Sequence, residues 1–455
     1  MLHKLLPMEK ISGSFRDPSG FVFKENGSLY RKINPCYFSI YNDLKIRKIF
    51  DLLWDEKLMV RHQEVKSTSK EIVLKPEEIP FVSYPYEWSF SQLKDAALLT
   101  LNLQKKLLEN DFSLKDASAY NIQFVGYKPI FIDTLSIEHY KEGPWIAFNQ
   151  FCQHFLYPLM LMSKIDLQLN KLMELWIGGI SVDIVDKLLP ISKYFSLNYW
   201  LYVKFLNNSQ KKAESAHKKF SVKLSKKQLF RLIDGLIYAV NGLKLKKQKT
   251  QWGNYYTFTN YSNEAFDTKT KIITSLIEKI QPKEVWDLGA NNGHFSRIAS
   301  NKGIRTLAFD IDPIAVEKNY ISCKINNEDK ILPLLLDLTN PSPNIGWNNS
   351  ERVTIEQRGK ADLCLALALV HHLAIGNNVP FESIANYFSK LCNTLVIEFI
   401  PKNDSKVQEL LLNREDIFTD YTTENFKEQF AKYFSIEETI PVKDSLRTIY
   451  LMKVK

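Results

Sequence analysis

Cysteine is scarce in this chain and its spacing makes no pairs. The 455 residues hold five, Cys36, Cys152, Cys323, Cys364 and Cys392, an odd number with no C-x-x-C. A disulfide framework or a zinc knuckle is therefore not expected; no metal is expected, and a reducing, cytoplasmic location is. Long apolar runs are also missing. The longest, LCLALALV at 363–370, has 8 residues. It is too short to cross a membrane and suits a strand buried on both faces of a parallel sheet. The opening MLHKLLPMEK has an apolar stretch too short for a signal peptide. Neither repeats nor low-complexity tracts occur. Net charge is +9, but 60 Lys and Arg are scattered among 51 Asp and Glu. The densest basic stretch, LKLKKQK at 243–249, could touch nucleic-acid or membrane phosphates, or be a solvated helix end or linker. No RNA-binding aromatic motif accompanies it, so no nucleic-acid site is defined. Oligomeric state is not legible.

A dinucleotide fingerprint is absent too. Residues 285–313, VWDLGANNGHFSRIASNKGIRTLAFDIDP, read as strand, glycine turn, helix, second strand and an acid at that strand's end. Glycine lets the backbone turn sharply beside a ligand, and Asp310, 21 residues after Gly289, could accept from both ribose hydroxyls. The second and third glycines of G-x-G-x-x-G are replaced by Asn291 and His294, so no pyrophosphate cradle is evident. Strands are expected near 284–287, 305–309, 331–336, 362–369, 394–399 and 446–452, with a hairpin partner at 434–440. Strands alternating with helices predict an α/β, doubly wound, Rossmann-like sheet whose ligands bind beyond the strands' carboxyl ends.

The stretch D-L-G-A-N-x-G-x-F-S resembles motif I of the class I S-adenosylmethionine (SAM) methyltransferases, and FDIDP resembles their next motif. The resemblance implies SAM as cofactor. Asp287, Gly289 and Gly293 would line its methionine part, Asp310 its ribose and Asp337 its adenine, with Ala290, Asn291, Ile311 and Leu338 also counted as cofactor-binding. His371 and His372 follow the fourth strand. A neutral imidazole there could take a proton from an acceptor hydroxyl, or one His could cap the strand while the other is solvated. Glu398, ending the fifth strand, could orient a base, bind substrate or be structural. Methyl transfer needs mainly alignment, so a base is not obligatory. No N-P-P-Y follows the fourth strand, which disfavours amide and adenine methylation. The aromatic segment 252–269 reads as a lid over SAM or as domain packing, with Trp252 and Tyr261 the contacts to expect.

At this length two or three domains are expected. Residues 1–145 mix strands and helices, 146–250 are mostly helical, and 251–455 form the methyltransferase domain. FVFKENGSLYRKI at 21–33 predicts a hairpin turning on Asn26-Gly27, and helical spacing covers 41–58 and 91–110. Residues 113–138 carry a second resemblance. Asp116 and Asn121 have the D-x-x-x-x-N spacing of a kinase catalytic loop, followed by a hairpin and Asp133. The long helix before this loop, and the strand before that, also look kinase-like. This resemblance implies a kinase-like α+β domain with a helical second lobe. Yet HRD is replaced by Leu114-Lys115-Asp116, a glycine-rich loop is absent, and Arg31 and Lys32 are only cations near where a strand lysine would be. Asp116 and Asn121 could equally cap the turn.

Taken over most of the chain, these signatures resemble bacterial proteins similar to host-specificity nodulation methyltransferases. That implies SAM-dependent methylation, O-directed where His371 or His372 serves as base, on a small-molecule or glycan acceptor. Two other functions stay open: a bifunctional enzyme whose first half phosphorylates the same acceptor, and a non-catalytic SAM-sensing module.

Overall fold

The computed structural model describes residues 9–208, 224–245, 263–412 and 414–455. It divides into two compact units, residues 1–247 with 344–353, and residues 248–343 with 354–455.

The first unit opens with an antiparallel sheet of β1 (Glu9–Lys10), β2 (Gly20–Glu25), β3 (Ser28–Ile33), β4 (His62–Ser67) and β5 (Ile72–Pro76), ordered β1-β2-β3-β5-β4. The β2–β3 hairpin turns on Asn26 (φ 49°) and Gly27 (φ 78°), the left-handed pair a two-residue turn requires. The helical segment expected at 41–58 is two helices, Phe38–Ile46 and Ile49–Asp55, because Lys48 between them is left-handed (φ 55°). A 20-residue helix, Phe90–Glu109, follows. Ser89 and Gln92 form its capping box, and Leu93, Ala97, Leu101 and Leu108 make its buried stripe. Then come β6 (Phe112–Leu114), β7 (Ile122–Val125), β8 (Lys128–Phe131) and β9 (Ile137–His139), paired β6 with β9 and β7 with β8. The hairpin expected after Asn121 is β7–β8, and Asp133 follows it. The rest of the unit is short helices ending in Lys226–Gly242.

Residues 344–353, read from sequence as part of the methyltransferase region, pack with the first unit. Arg16 pairs with Glu351, the Val353 N–H donates to Tyr84 Oη (2.9 Å), and Arg352 lies over the Tyr120 ring (4.0 Å). The segment is rich in Asn and Gly and contributes no strand to the second unit's sheet.

That sheet has seven strands: β10 (Glu284–Leu288), β11 (Arg305–Asp310), β12 (Ile331–Leu335), β13 (Ala361–Ala366), β14 (Cys392–Phe399), β15 (Phe434–Pro441) and β16 (Thr448–Val454). Their order is β12-β11-β10-β13-β14-β16-β15, with β16 antiparallel to both neighbours and the rest parallel. Strand order reverses between β10 and β13, where Asp287 faces Leu365 in register. The fourth strand stops at Ala366, short of the expected 369, because Ala368 turns to φ 52°. Helix Asn263–Ile280 lays Ile273, Leu276 and Ile277 on Val285, Leu363, Leu365 and Val396. Each fully buried side chain of this kind contributes roughly 1.5–3 kcal/mol over an exposed one. All five cysteines are free thiols. No helix among the described residues is long and apolar enough to cross a membrane.

Candidate functional site

The turn after β10 is built to come close to a ligand. Gly289 (φ 83°), Asn291 (φ 50°) and Gly293 (φ 83°) are all left-handed. The N–H groups of Gly289 and Ala290 both donate to the Phe309 carbonyl, at 2.9 and 2.8 Å. Asp310 completes the clasp. Its Oδ2 accepts from the Asn291 N–H (2.7 Å) and its Oδ1 from the Asp312 N–H (2.8 Å). A side chain at 293 is excluded twice: by its φ, and because a Cβ would sit 2.6 Å from Asn319 Oδ1 and 2.7 Å from Arg297 Nη1.

A cavity of about 260 Å³ opens at this turn, beyond the carboxyl ends of the strands. Asp287, Gly289, Asn291, Asp310, Ile311, Asp337, Leu338 and His372 line it. So do Phe266, Lys269, Leu369 and Asn377, which sequence reasoning did not single out. Four candidates lie off the lining. Ala290 is buried behind the turn, Gly293 packs on Asn319 and Arg297, His371 is buried, and Glu398 is fully buried at the end of β14. Trp252 and Tyr261 lie outside the described residues.

Glu398 supports the wall from behind. Its Oε2 accepts from Lys269 Nζ and from the Ala368 N–H, both at 2.7 Å. It therefore pins the left-handed bend after β13 to helix 263–280, and its geometry gives it a positioning part rather than contact with the cavity. Lys269 also lies 4.9 Å from the Phe295 ring centroid. A legible signal existed for it, since a lysine stands in the apolar stripe Phe266, Ile273, Ile277 at helical spacing.

Charge at the site is unevenly tolerated. Burial pushes the Asp310 carboxyl up to about 6, against the pull of the Asp312 and Asn291 N–H groups. Burial also lifts Asp287 to about 6, although Ser296 Oγ donates to it at 2.6 Å, and nearby Asp310 adds to the rise. Both anions would be relieved by a bound cation. Burial pulls His372 down to about 4 and His371 well below the usual imidazole range, the latter helped by its neighbour His372. Their rings lie 4.1 Å apart. Both are neutral near pH 7, so His372 meets the cavity as an acceptor or tautomeric donor.

The first unit brings its three singled-out residues together. Asp133 is held by Arg31 from β3, by Ser136 Oγ and by the Leu135 N–H (3.3 Å). Asn121 Nδ2 donates to Ser136 Oγ at 3.3 Å. Asp116 accepts from the Ser118 N–H (2.8 Å), and burial raises its pKa, with Asp133 adding to the rise.

Strand order decides between nucleotide-binding sheets. An antiparallel strand inserted between the last two parallel ones, with the turn after the first strand clasped by the acid that ends the second, is the plan of the class I SAM-dependent methyltransferase fold, and the second unit of this chain has that plan. No family model matches the chain. It belongs to the family of nodulation protein NoeA, being 33% identical to that protein of Rhizobium meliloti (strain 1021) over 458 residues, 97% of this chain and 95% of the relative. An 87-residue stretch is 33% identical to ribosomal RNA large subunit methyltransferase E of Wolbachia pipientis wMel, covering 19% of this chain and 42% of that protein. Among solved structures, WbdD with the kinase inhibitor LY294002 matches at 16% identity and a TM-score of 0.28, over 42% of this chain and 40% of its own length, so this chain spans less than half of WbdD. Magnesium protoporphyrin IX methyltransferase of Synechocystis PCC 6803 with bound SAH matches at 15% identity and a TM-score of 0.32, over 45% and 93%.

Replacing Asp310 by Ala should weaken SAM binding by about 1–3 kcal/mol, the cost of losing hydrogen bonds to a charged group. Calorimetric titration of both proteins reads this directly, and equal affinities would contradict the clasp. Wild-type affinity should also fall with pH. A carboxylate that accepts from ribose hydroxyls must be ionised, so with Asp310 at about 6 the dissociation constant should be flat above pH 7 and rise below 6. The empty unit has the opposite trend. A carboxyl raised in the fold binds protons more tightly than in the unfolded chain, so its contribution to stability is lost as pH rises from about 4 through 6. An affinity unchanged between pH 7 and 5 would refute the assignment.

Proposed function

We propose that this enzyme transfers the SAM methyl group to an oxygen of a small molecule or glycan precursor. The observation that carries the reading is a neutral imidazole, His372, on the wall of the same cavity as Asp287, Gly289 and Asp310. SAM, when bound, supplies an electrophilic methyl group on a sulfonium. The protein's part is alignment and charge. Asp310 would accept from the ribose hydroxyls, Asp337 would face the adenine end, and the turn at 289–293 would bring its amides close to the methionyl part. The buried Asp287 carboxylate would favour the cationic end of the cofactor. His372 would accept the hydroxyl proton, or hydrogen-bond the hydroxyl so that its oxygen points at the methyl carbon. Most of the acceleration then comes from holding the two reactants in line. Glu398 and Lys269 act on the reaction through the bend they hold. Incubation with labelled SAM and fractionated lysate, followed by mass spectrometry, should find a methyl group on an oxygen of a small or glycan-like acceptor. Label on protein or nucleic acid would reject this reading.

We infer that the first unit keeps a kinase-like layout without phosphotransfer. In an active site of that plan Asp133 would hold Mg²⁺. Here its carboxylate is shared by a guanidinium, a hydroxyl and a backbone N–H. A metal ion would have to displace Arg31. Calorimetry with millimolar Mg-ATP should give no binding isotherm. Binding that disappears in Asp133→Ala would establish a bifunctional enzyme instead.

A further inference from the structure

The turn that carries His372 is held by side chains the cofactor does not need. After Ala368 the chain makes a wide π turn over His372–Gly376, a geometry that leaves carbonyls without the usual helical partner. Leu373, Ala374 and Ile375 are buried and root the turn in the core, while Gly376, Asn377 and Asn378 are exposed. The carbonyls are satisfied one by one. Asn377 Nδ2 donates to that of His372 at 2.8 Å, and the Val379 N–H to that of Leu373 at 3.0 Å. Arg414, just beyond helix Ser405–Leu411, donates to the carbonyls of Ile375 and Gly376, the latter at 3.4 Å, and to Asn378 Oδ1 at 2.7 Å. Its guanidinium also lies 4.9 Å from the Phe418 ring centroid. One side chain therefore grips residues 375, 376 and 378.

This turn brings both of its ends, His372 and Asn377, to the lining of the cofactor cavity. Asn377 is exposed, whereas Asp287 and Asp310, which would hold the cofactor, are buried. It thus stands at the rim, where an acceptor enters once the cofactor is bound. Chemistry sets the direction of its amide. A carbonyl can only accept, so the nitrogen faces His372 and the oxygen faces away. That oxygen meets no donor among the described residues. Closing the turn uses the nitrogen alone, and a residue with that task alone need not line a cavity. The oxygen is available to a donor on the acceptor molecule, and next to a hydroxyl that His372 addresses the matching donor is a second hydroxyl.

On the O-methylation reading, we propose that Asn377 selects the acceptor by taking a hydrogen bond from a second hydroxyl while His372 addresses the one that is methylated, and that Arg414 positions both by clamping their turn. The acceptor is then a polyol, with a free hydroxyl near the methylated oxygen. The probe is the lysate fraction to which the full-length wild type transfers label from SAM. Asn377→Ala should need about tenfold more of that fraction for half-maximal rate, the effect of one lost hydrogen bond to the acceptor, with the saturated rate much less changed. Arg414→Ala should lower the saturated rate as well, and Arg414→Lys, which keeps a donor, should recover part of it. Calorimetry should give both Ala variants a SAM dissociation constant within about twofold of wild type, which establishes that they fold and that the effect lies on the acceptor side. Three results would overturn the proposal and leave O-methylation standing: an unchanged dependence on the fraction in Asn377→Ala, SAM affinity lost in step with activity, or an O-methylated acceptor whose tandem mass spectrum shows no second hydroxyl. Label on nitrogen or sulfur would overturn the O-methylation reading and this proposal with it.

Discussion

One carboxylate at the end of a buried strand sets the geometry on which the cofactor site depends. Asp310 accepts from Asn291 and Asp312 and so ties the turn after β10 to the start of the helix after β11. The left-handed residues at 289, 291 and 293 give that turn its shape, and the two N–H bonds to Phe309 fix its depth. The cost is visible in the same residue. A carboxyl lifted to about 6 is a charge held against desolvation, and Asp287 nearby repeats the strain. Such a pair is poorly served by an empty cavity and well served by a cofactor that brings ribose hydroxyls to one acid and positive charge to the other.

Behind this clasp lies a second support, Lys269 and Glu398. Buried ion pairs contribute little net stability, because desolvation offsets most of the attraction. Their value here is directional. One oxygen of Glu398 holds both an ammonium from helix 263–280 and the N–H of Ala368, whose left-handed backbone turns the chain toward the cavity and on to His372. Helix, fourth strand and fifth strand are thereby locked around one side of the site.

Much of this was legible in the sequence, and the exceptions have physical causes. Strand positions followed from apolar runs bounded by turn residues, and the hairpin at 26–27 from Asn-Gly. The turn at 289–293 and the acid at 310 were readable because they need particular residue types at fixed spacing. The split of 41–58 was not, since Lys48 in a left-handed conformation carries no sequence signature. Nor was the early end of β13, because alanine at φ 52° is equally unannounced. Lys269 went unremarked inside an aromatic segment, although its place in an apolar helical stripe marks it. His371 and His372 both follow the bend at Ala368 with their rings 4.1 Å apart, and only His372 lines the cavity while His371 is buried. The packing of 344–353 with the first unit depends on long-range pairs such as Arg16 with Glu351, which no local pattern foretells.

The account turns on where the cofactor sits. A crystal of the enzyme grown with S-adenosylhomocysteine should have the ribose at Asp310, the adenine beside Asp337 and Leu338, and the amino-acid end against the turn at Gly289. Density for that nucleoside in any other cavity, or a ribose turned away from Asp310, would contradict it.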